Sequence, residues 1–224
     1  MNENLLLQLN STTRSLPKFI AIEGPIGVGK TTLAERLAEA FNYQTLLENT
    51  NENPFLEDFY KSRQSNALAT QLHFLFQRAE QLQNLRQSDL FEPVHIADFM
   101  IEKDRMFAET LLNPEEFNLY SKVFDSLQID PPTPDLVIYL QASTHTLLQR
   151  LQQRGNRNEQ YINAEYMQQI NEAYSRFFHY YDDAPLLIMN AEQIDIVSND
   201  EAFNSFINYM LGIHSGRHYF NPSF

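Results

Sequence analysis

The chain has no cysteine among its 224 residues. That excludes disulfides, thiolate catalysis and cysteine-ligated zinc in one step, and it suits a reducing compartment. Cations are scarce as well: 16 Lys and Arg stand against 29 Asp and Glu, a net charge of −13. A surface of that sign repels nucleic-acid backbone and anionic lipid, so neither a nucleic-acid polymer nor a membrane is an expected partner. No apolar run approaches the ~20 residues of a membrane-spanning helix. The stretch "LLLQL" near the start is too short for a signal-peptide core. The expectation is a cytoplasmic protein, with residues 1–16 a flexible lead-in and 17–224 a single domain. Glycine is rare too, at six residues, yet three of them fall between positions 24 and 29.

What is present is an alternation. Five short, nearly continuous apolar runs punctuate the chain: "KFIAIEG" (18–24), "YQTLLE" (43–48), "PVHIAD" (93–98), "DLVIYLQ" (135–141) and "LLIMN" (186–190). Each is too short for a helix and reads as a strand buried on both faces of a parallel sheet. Helical spacing fills the intervals at 30–41, 65–87, 102–112, 144–154, 163–181 and 199–211. The proline-rich "DSLQIDPPTPD" (125–135) reads as a rigid turn before the fourth strand. The pattern predicts an α/β fold with right-handed crossovers around an open, five-stranded parallel sheet flanked by helices.

The clustered glycines explain themselves in context. Gly24-Pro25-Ile26-Gly27-Val28-Gly29-Lys30-Thr31 fits G-x-x-x-x-G-K-[ST], between the first strand and the first helix. Such a loop turns its backbone N–H groups towards phosphate oxygens at a helix N-terminus. Lys30 is expected on the β- and γ-phosphates and the Thr31 hydroxyl on Mg²⁺, with Gly24, Gly27, Val28, Gly29 and Thr32 completing the cradle. ATP and Mg²⁺ are the expected cofactors, and the architecture is the three-layer P-loop NTPase type.

In open α/β sheets the chemistry gathers at the carboxyl ends of strands. Glu48 closes the second strand and Asp98 the third. Asp98 is placed to share the metal with Thr31, or else to cap the following helix. Between Leu37 and Tyr60 there is no Lys or Arg, while Glu48, Glu52, Glu57 and Asp58 all fall there. An acceptor carrying its own phosphate would want arginine in this loop, whereas a carboxylate suits an uncharged hydroxyl that it can deprotonate.

Two further clusters stand out. In the helix at 65–87, Leu68, Leu72, Leu75, Ala79 and Leu82 make the packing stripe, and Gln71, Phe74 and Arg78 share another face. Amide, ring and guanidinium together suit a flat heterocycle; the alternative is a solvated face. Arg150, Arg154 and Arg157 recur at i, i+4 and i+7. They suggest a lid at about 150–162 over the transferring phosphoryl group, or a solvated helix end.

Taken in order, these motifs resemble the deoxynucleoside kinase family, from about Phe19 to the C-terminus. "LLENTNENPFLEDFY" is similar to the family's acidic strand end, which implies Glu48 as base on the 5′-hydroxyl and Tyr60 on the sugar 3′-hydroxyl. "QLHFLFQR" resembles the base-binding helix, with Gln71, Phe74 and Arg78 against the base. "DFMIEKDRMFA" places Asp98 at the family's acidic position and Asp104 at its base-contacting aspartate. "LLQRLQQRGNRNEQ" looks like the lid, with Arg150 and Arg154 on the phosphates and Glu159 near the 3′-hydroxyl. "NAEQIDIV" is similar to the segment that frames the donor adenine. The resemblance further implies a homodimer through long helices, and a purine deoxynucleoside or deoxycytidine in preference to thymidine. One position departs: the family's arginine and serine after the acidic residue are Phe99 and Met100 here. Lys103 and Arg105 are the nearest cations that could substitute. The competing readings are a thymidylate kinase-like monophosphate kinase and a catalytically silent nucleotide-binding module.

Overall fold

A computed structural model describes residues 16–63, 65–88, 95–192, 196 and 199–221. The expected lead-in up to residue 15, positions 93–94 of "PVHIAD" and much of "NAEQIDIV" (193–195 and 197) lie outside the described residues.

The strands are β1 (Phe19–Glu23), β2 (Gln44–Leu46), β3 (His95–Ala97), β4 (Leu136–Gln141), β5 (Leu186–Asn190) and β6 (Arg217–Phe220). They form one parallel sheet in the order β2-β3-β1-β4-β5-β6. β1 pairs with β3 on one side (Ile20 with Ile96) and β4 on the other (Ile20 with Leu136). The chain therefore reverses its direction of travel across the sheet at β1. A crevice opens at such a point, beyond the carboxyl ends of the strands.

Two details of the sheet differ from the sequence reading, and the helices at Leu56–Lys61 and Pro114–Ser126 add to the expected ones. The sheet has six strands, not five: β6 adds to β5 along the edge, Ile188 in register with Tyr219. Its sequence, "RHYF", puts two polar residues before two aromatic ones and buries only Phe220, so it carries no continuous apolar run. β2 is also an edge strand, and its Gln44 and Thr45 are exposed instead of buried on both faces.

The helices are α1 (Lys30–Phe41), α2 (Leu56–Lys61), α3 (Ala67–Ser88), α4 (Glu102–Leu111), α5 (Pro114–Ser126), α6 (Thr144–Arg154), α7 (Ala164–Tyr180) and α8 (Asp200–Met210). Each forms where local chemistry supports it. α1 buries Leu33, Ala34, Leu37 and Ala38 at helical spacing and ends on Asn42, whose left-handed φ of 57° stops the helix. α5 starts with Pro114 in its first turn and a capping box in which Asn113 and Glu116 exchange hydrogen bonds. The main core surrounds β1, β4 and β5, and a smaller cluster of Leu75, Leu82, Phe99, Ile101, Ala108 and Tyr120 joins α3, α4 and α5.

Candidate active site

The phosphate loop is the first wall. Gly24 has a φ of 147° and Gly27 one of 82°. A Cβ on Gly24 would stand 2.5 Å from the Leu140 carbonyl oxygen, and one on Gly27 3.0 Å from the Leu151 side chain. At these two positions glycine thus serves the fit of the loop against β4 and α6, besides any approach to phosphate. Lys30 Nζ donates to the carbonyls of Gly24 (2.8 Å) and Pro25 (3.3 Å). Burial lowers its pKa, and the charge of Lys103 lowers it further.

The loop opens on a cavity of about 690 Å³, within the range of small-molecule sites. Gly27, Val28, Gly29, Lys30, Thr31 and Thr32 line one part of it; Glu48, Tyr60, Gln71, Phe74, Arg78 and Asp98 line another; Arg150, Arg154 and Glu159 also reach it. Gly24 and Asp104 stand one layer behind. Asp104, only 1% exposed, forms an ion pair with the Arg78 guanidinium.

Asp98 is not a helix cap, because α4 begins four residues later. Its Oδ2 accepts from the Thr31 hydroxyl at 2.5 Å and its Oδ1 from the Glu48 N–H at 2.7 Å. Among the described residues no group of three or more His, Asp or Glu makes a ready metal cage. Mg²⁺ characteristically takes one or two protein oxygens and completes its shell with water and phosphate, and the Thr31–Asp98 pair fits that habit.

Glu48 is surrounded by cations. Its Oε1 is bonded by Arg78 and lies 3.4 Å from Lys103 Nζ. Burial pushes its pKa up, but Arg78, Lys103 and Lys30 outweigh that and hold it at about 2. Gln71, Phe74 and Arg78 are buried to 4%, 8% and 4% exposure, so their shared face is not a solvated one. Tyr60 lies edge-on to Tyr166, and burial raises its hydroxyl pKa well above the usual tyrosine value.

α6 and the short 3₁₀ segment Arg157–Tyr161 form the expected lid region. Arg154 grips Glu159 with two hydrogen bonds of 3.0 and 2.5 Å. Arg150 donates to the carbonyls of Val28 (3.2 Å) and Ala191 (2.7 Å), tying α6 to the phosphate loop and to the turn after β5. Arg157 is exposed and does not reach the cavity.

Two buried charges were not picked out as site residues. Glu23, fully buried at the end of β1, accepts from the N–H groups of Met100 (2.6 Å) and Gly24 (3.2 Å) and the hydroxyl of Tyr174 (3.0 Å). A glutamate closing an otherwise apolar central strand, just before the phosphate loop, is the signal that could have found it. Of the two substitute cations, Lys103 is 3% exposed and lines the cavity, whereas Arg105 is at the surface near Asp125. Phe99 turns into the apolar cluster under α3, where a charged side chain would be poorly placed.

A family model for deoxynucleoside kinases matches residues 20–213. The chain belongs to the deoxynucleoside kinase family. Among its relatives, the deoxyguanosine kinase of Bacillus subtilis is 36% identical over 83% of this chain and 92% of its own length. The deoxyadenosine/deoxycytidine kinase of the same bacterium is 26% identical over 88% and 94%. Deoxyadenosine kinase from M. mycoides with bound dATP has a TM-score of 0.73 at 27% identity, covering 85% of this chain and 98% of that one. The kinase is therefore an enzyme of deoxynucleoside phosphorylation, and the monophosphate-kinase and silent-module readings fall. No helix among the described residues is long and apolar enough to cross a membrane.

Proposed function

We propose that this kinase transfers the γ-phosphoryl group of Mg²⁺·ATP to the 5′-hydroxyl of a purine deoxynucleoside, with deoxyguanosine preferred. The observation that carries the reading is the shared cavity: the phosphate loop, the Glu48 carboxylate and the Gln71–Phe74–Arg78 face all line it. Glu48 takes the hydroxyl proton as the 5′-oxygen forms its bond to the γ-phosphorus. The bond to the β–γ bridging oxygen breaks, and ADP leaves. Lys30, with Arg150 and Arg154, stabilises charge on the transferring group. Two N–H groups of Arg150 are occupied by carbonyls, which leaves three of its five for phosphate. Thr31 and Asp98 hold Mg²⁺, whose contribution is to neutralise phosphate charge. Tyr60 and Glu159 receive the sugar 3′-hydroxyl.

Arg78 suits the O6 and N7 acceptors of guanine, while Gln71 can bond either purine. Asp104 stands behind Arg78, outside the cavity lining, and fixes the guanidinium. A base that engages Arg78 also draws it away from Glu48, which makes that carboxylate more basic when the acceptor is in place. The 36% identical relative is named for deoxyguanosine, which supports the same order. We also place the kinase in the cytoplasm, which its cysteine-free sequence suits, and as a homodimer through α3 and α5, on which Phe76 and Leu119 are half-exposed.

The test is phosphorylation of each of the four deoxynucleosides with ATP and Mg²⁺. The expected order in kcat/KM is deoxyguanosine, then deoxyadenosine, with thymidine at least tenfold lower. Thymidine turned over as well as the purines would overturn the assignment of Arg78 and Gln71.

A further inference from the structure

We propose that Lys103 is a catalytic cation at the acceptor end of the site, contacting the attacking oxygen and the phosphoryl group as it is transferred. The proposal rests on the reading of Glu48 as the base. Lys103 lies in the first turn of α4, only 3% exposed, yet it lines the cavity. Its Nζ stands 3.4 Å from Glu48 Oε1 and 3.6 Å from Glu23 Oε1. Both separations exceed the ~2.8 Å of a charge-assisted hydrogen bond. The ammonium is thus held between two carboxylates by charge while its three N–H donors are not committed to short bonds.

A purely structural lysine would be there to neutralise Glu23. That carboxylate already accepts from three donors, Met100 N–H, Gly24 N–H and the Tyr174 hydroxyl, at 2.6 to 3.2 Å. Arg78 and Lys103 both address Oε1 of Glu48, which leaves Oε2 as the oxygen bonded by neither cation. An acceptor hydroxyl that gives its proton to Oε2 develops negative charge next to the ammonium. Lys30 lines the same cavity, and its charge and that of Lys103 disfavour each other. A phosphoryl group moving from the donor towards Glu48 passes from the first ammonium towards the second and relieves that repulsion as it goes. Such preorganised charge acts where charge develops, so it raises kcat more than it lowers KM.

The experiment compares Lys103→Met, Lys103→Arg, Glu23→Gln, the double variant Lys103→Met/Glu23→Gln, and Arg105→Met as a control outside the site. For each, kcat and KM for the best deoxynucleoside, the Kd of a non-hydrolysable ATP analogue and the unfolding midpoint are measured. Lys103→Met should lower kcat by about 10²–10³-fold, with KM and analogue Kd within threefold. Lys103→Arg should recover at least tenfold of that, and Arg105→Met should match the wild type within twofold. The double variant restores charge balance around Glu23, so it folds even where the single variant does not, and its kcat should stay low. A double variant with wild-type kcat, or Lys103→Met within threefold of wild type, would show that Lys103 merely balances Glu23. The wild-type rates alone report whether the base preference is right; only the ratio of variant to wild type reports on Lys103.

Discussion

Two buried constructions stand beside the site: a string of ions joins the end of β1 to α3 and α4, and a stack of aromatic rings joins β4 to α7. Glu23, Lys103, Glu48, Arg78 and Asp104 form a string of alternating charge in which each neighbour is an ion pair. In the other, Phe178 stacks on Tyr139 with ring centroids 4.2 Å apart, and Tyr174 lies nearly parallel to both. The two constructions do opposite things to stability. Taking ions out of water costs several kcal/mol each, which their attraction at best repays. Stacked rings add about 0.5–1.5 kcal/mol per pair beyond their buried area. Tyr174 joins the two: its ring is in the stack and its hydroxyl holds Glu23. The comparison implies that the ionic string is kept for chemistry and that the aromatic stack carries the fold.

The sharpest break in that division would come from Glu48→Gln. The expected loss is about 10²–10⁴-fold in kcat with ATP affinity near normal. Its thermal midpoint at neutral pH should fall by several degrees, because the ionised carboxylate that stabilises the wild type there is gone, although Arg78 keeps Asp104 and Lys103 keeps Glu23. The pH dependence follows from the same charge. The ordinary carboxyl pKa of 4.5 is lowered to about 2 in the fold. Ionised Glu48 therefore contributes stability that is fully present above about 4.5 and is lost as the pH falls towards 2. The variant should lack that segment of the wild-type stability curve. An unchanged kcat with a collapsed midpoint would reverse the roles assigned to the two constructions.

The converse variant is Phe178→Ala. Phe178 is 2% exposed and does not line the cavity. Removing its ring should cost about 3–5 kcal/mol in denaturant unfolding, while kcat at temperatures below the transition stays within threefold. A tenfold fall in kcat in protein that is still folded would mean that the stack sets Glu23 through Tyr174. The aromatic stack would then belong to the mechanism too.

Legibility in the sequence follows the same divide. Helices that bury one stripe and start or stop on special backbone were plain: α1 and α6 run over the expected residues, from Lys30 after Gly29 and to Arg154 before Gly155. α5 was missed: "NPEE" carries its proline and capping box, but its weakly buried face gives no continuous apolar signal. β6 was missed because an edge strand needs burial on one side only and "RHYF" offers little of it. Of the candidate site, most residues named from motif spacing line one cavity, Gly24 and Asp104 excepted. The string of ion pairs could not be read in the sequence, since α3 and α4 meet only in the folded chain and spacing along either helix does not reveal it. Lys103 and Arg105 are two residues apart and look alike in the sequence, yet one is buried in the cavity and the other lies at the surface.

The smallest effect tests whether the far edge of the sheet takes part at all. Arg217 opens β6, and its Nη2 donates to the carbonyls of Phe178 (2.7 Å), His179 (2.9 Å) and Tyr181 (3.3 Å) at the end of α7. A cation on those terminal carbonyls satisfies groups that the helix leaves unbonded and complements its dipole. Because the residue is exposed, solvent screens the contribution to about 1 kcal/mol. Arg217→Ala should therefore lower the thermal midpoint by a few degrees, more at low salt than at high. It should speed hydrogen exchange at the Leu186 N–H, which donates to the Gly216 carbonyl beside β6. The value of kcat/KM should not change, since neither α7's end nor β6 reaches the cavity. A loss of tenfold or more in kcat/KM at an unchanged midpoint would extend the functional part of the molecule to its C-terminal strand, and the division between string and stack would have to be redrawn there.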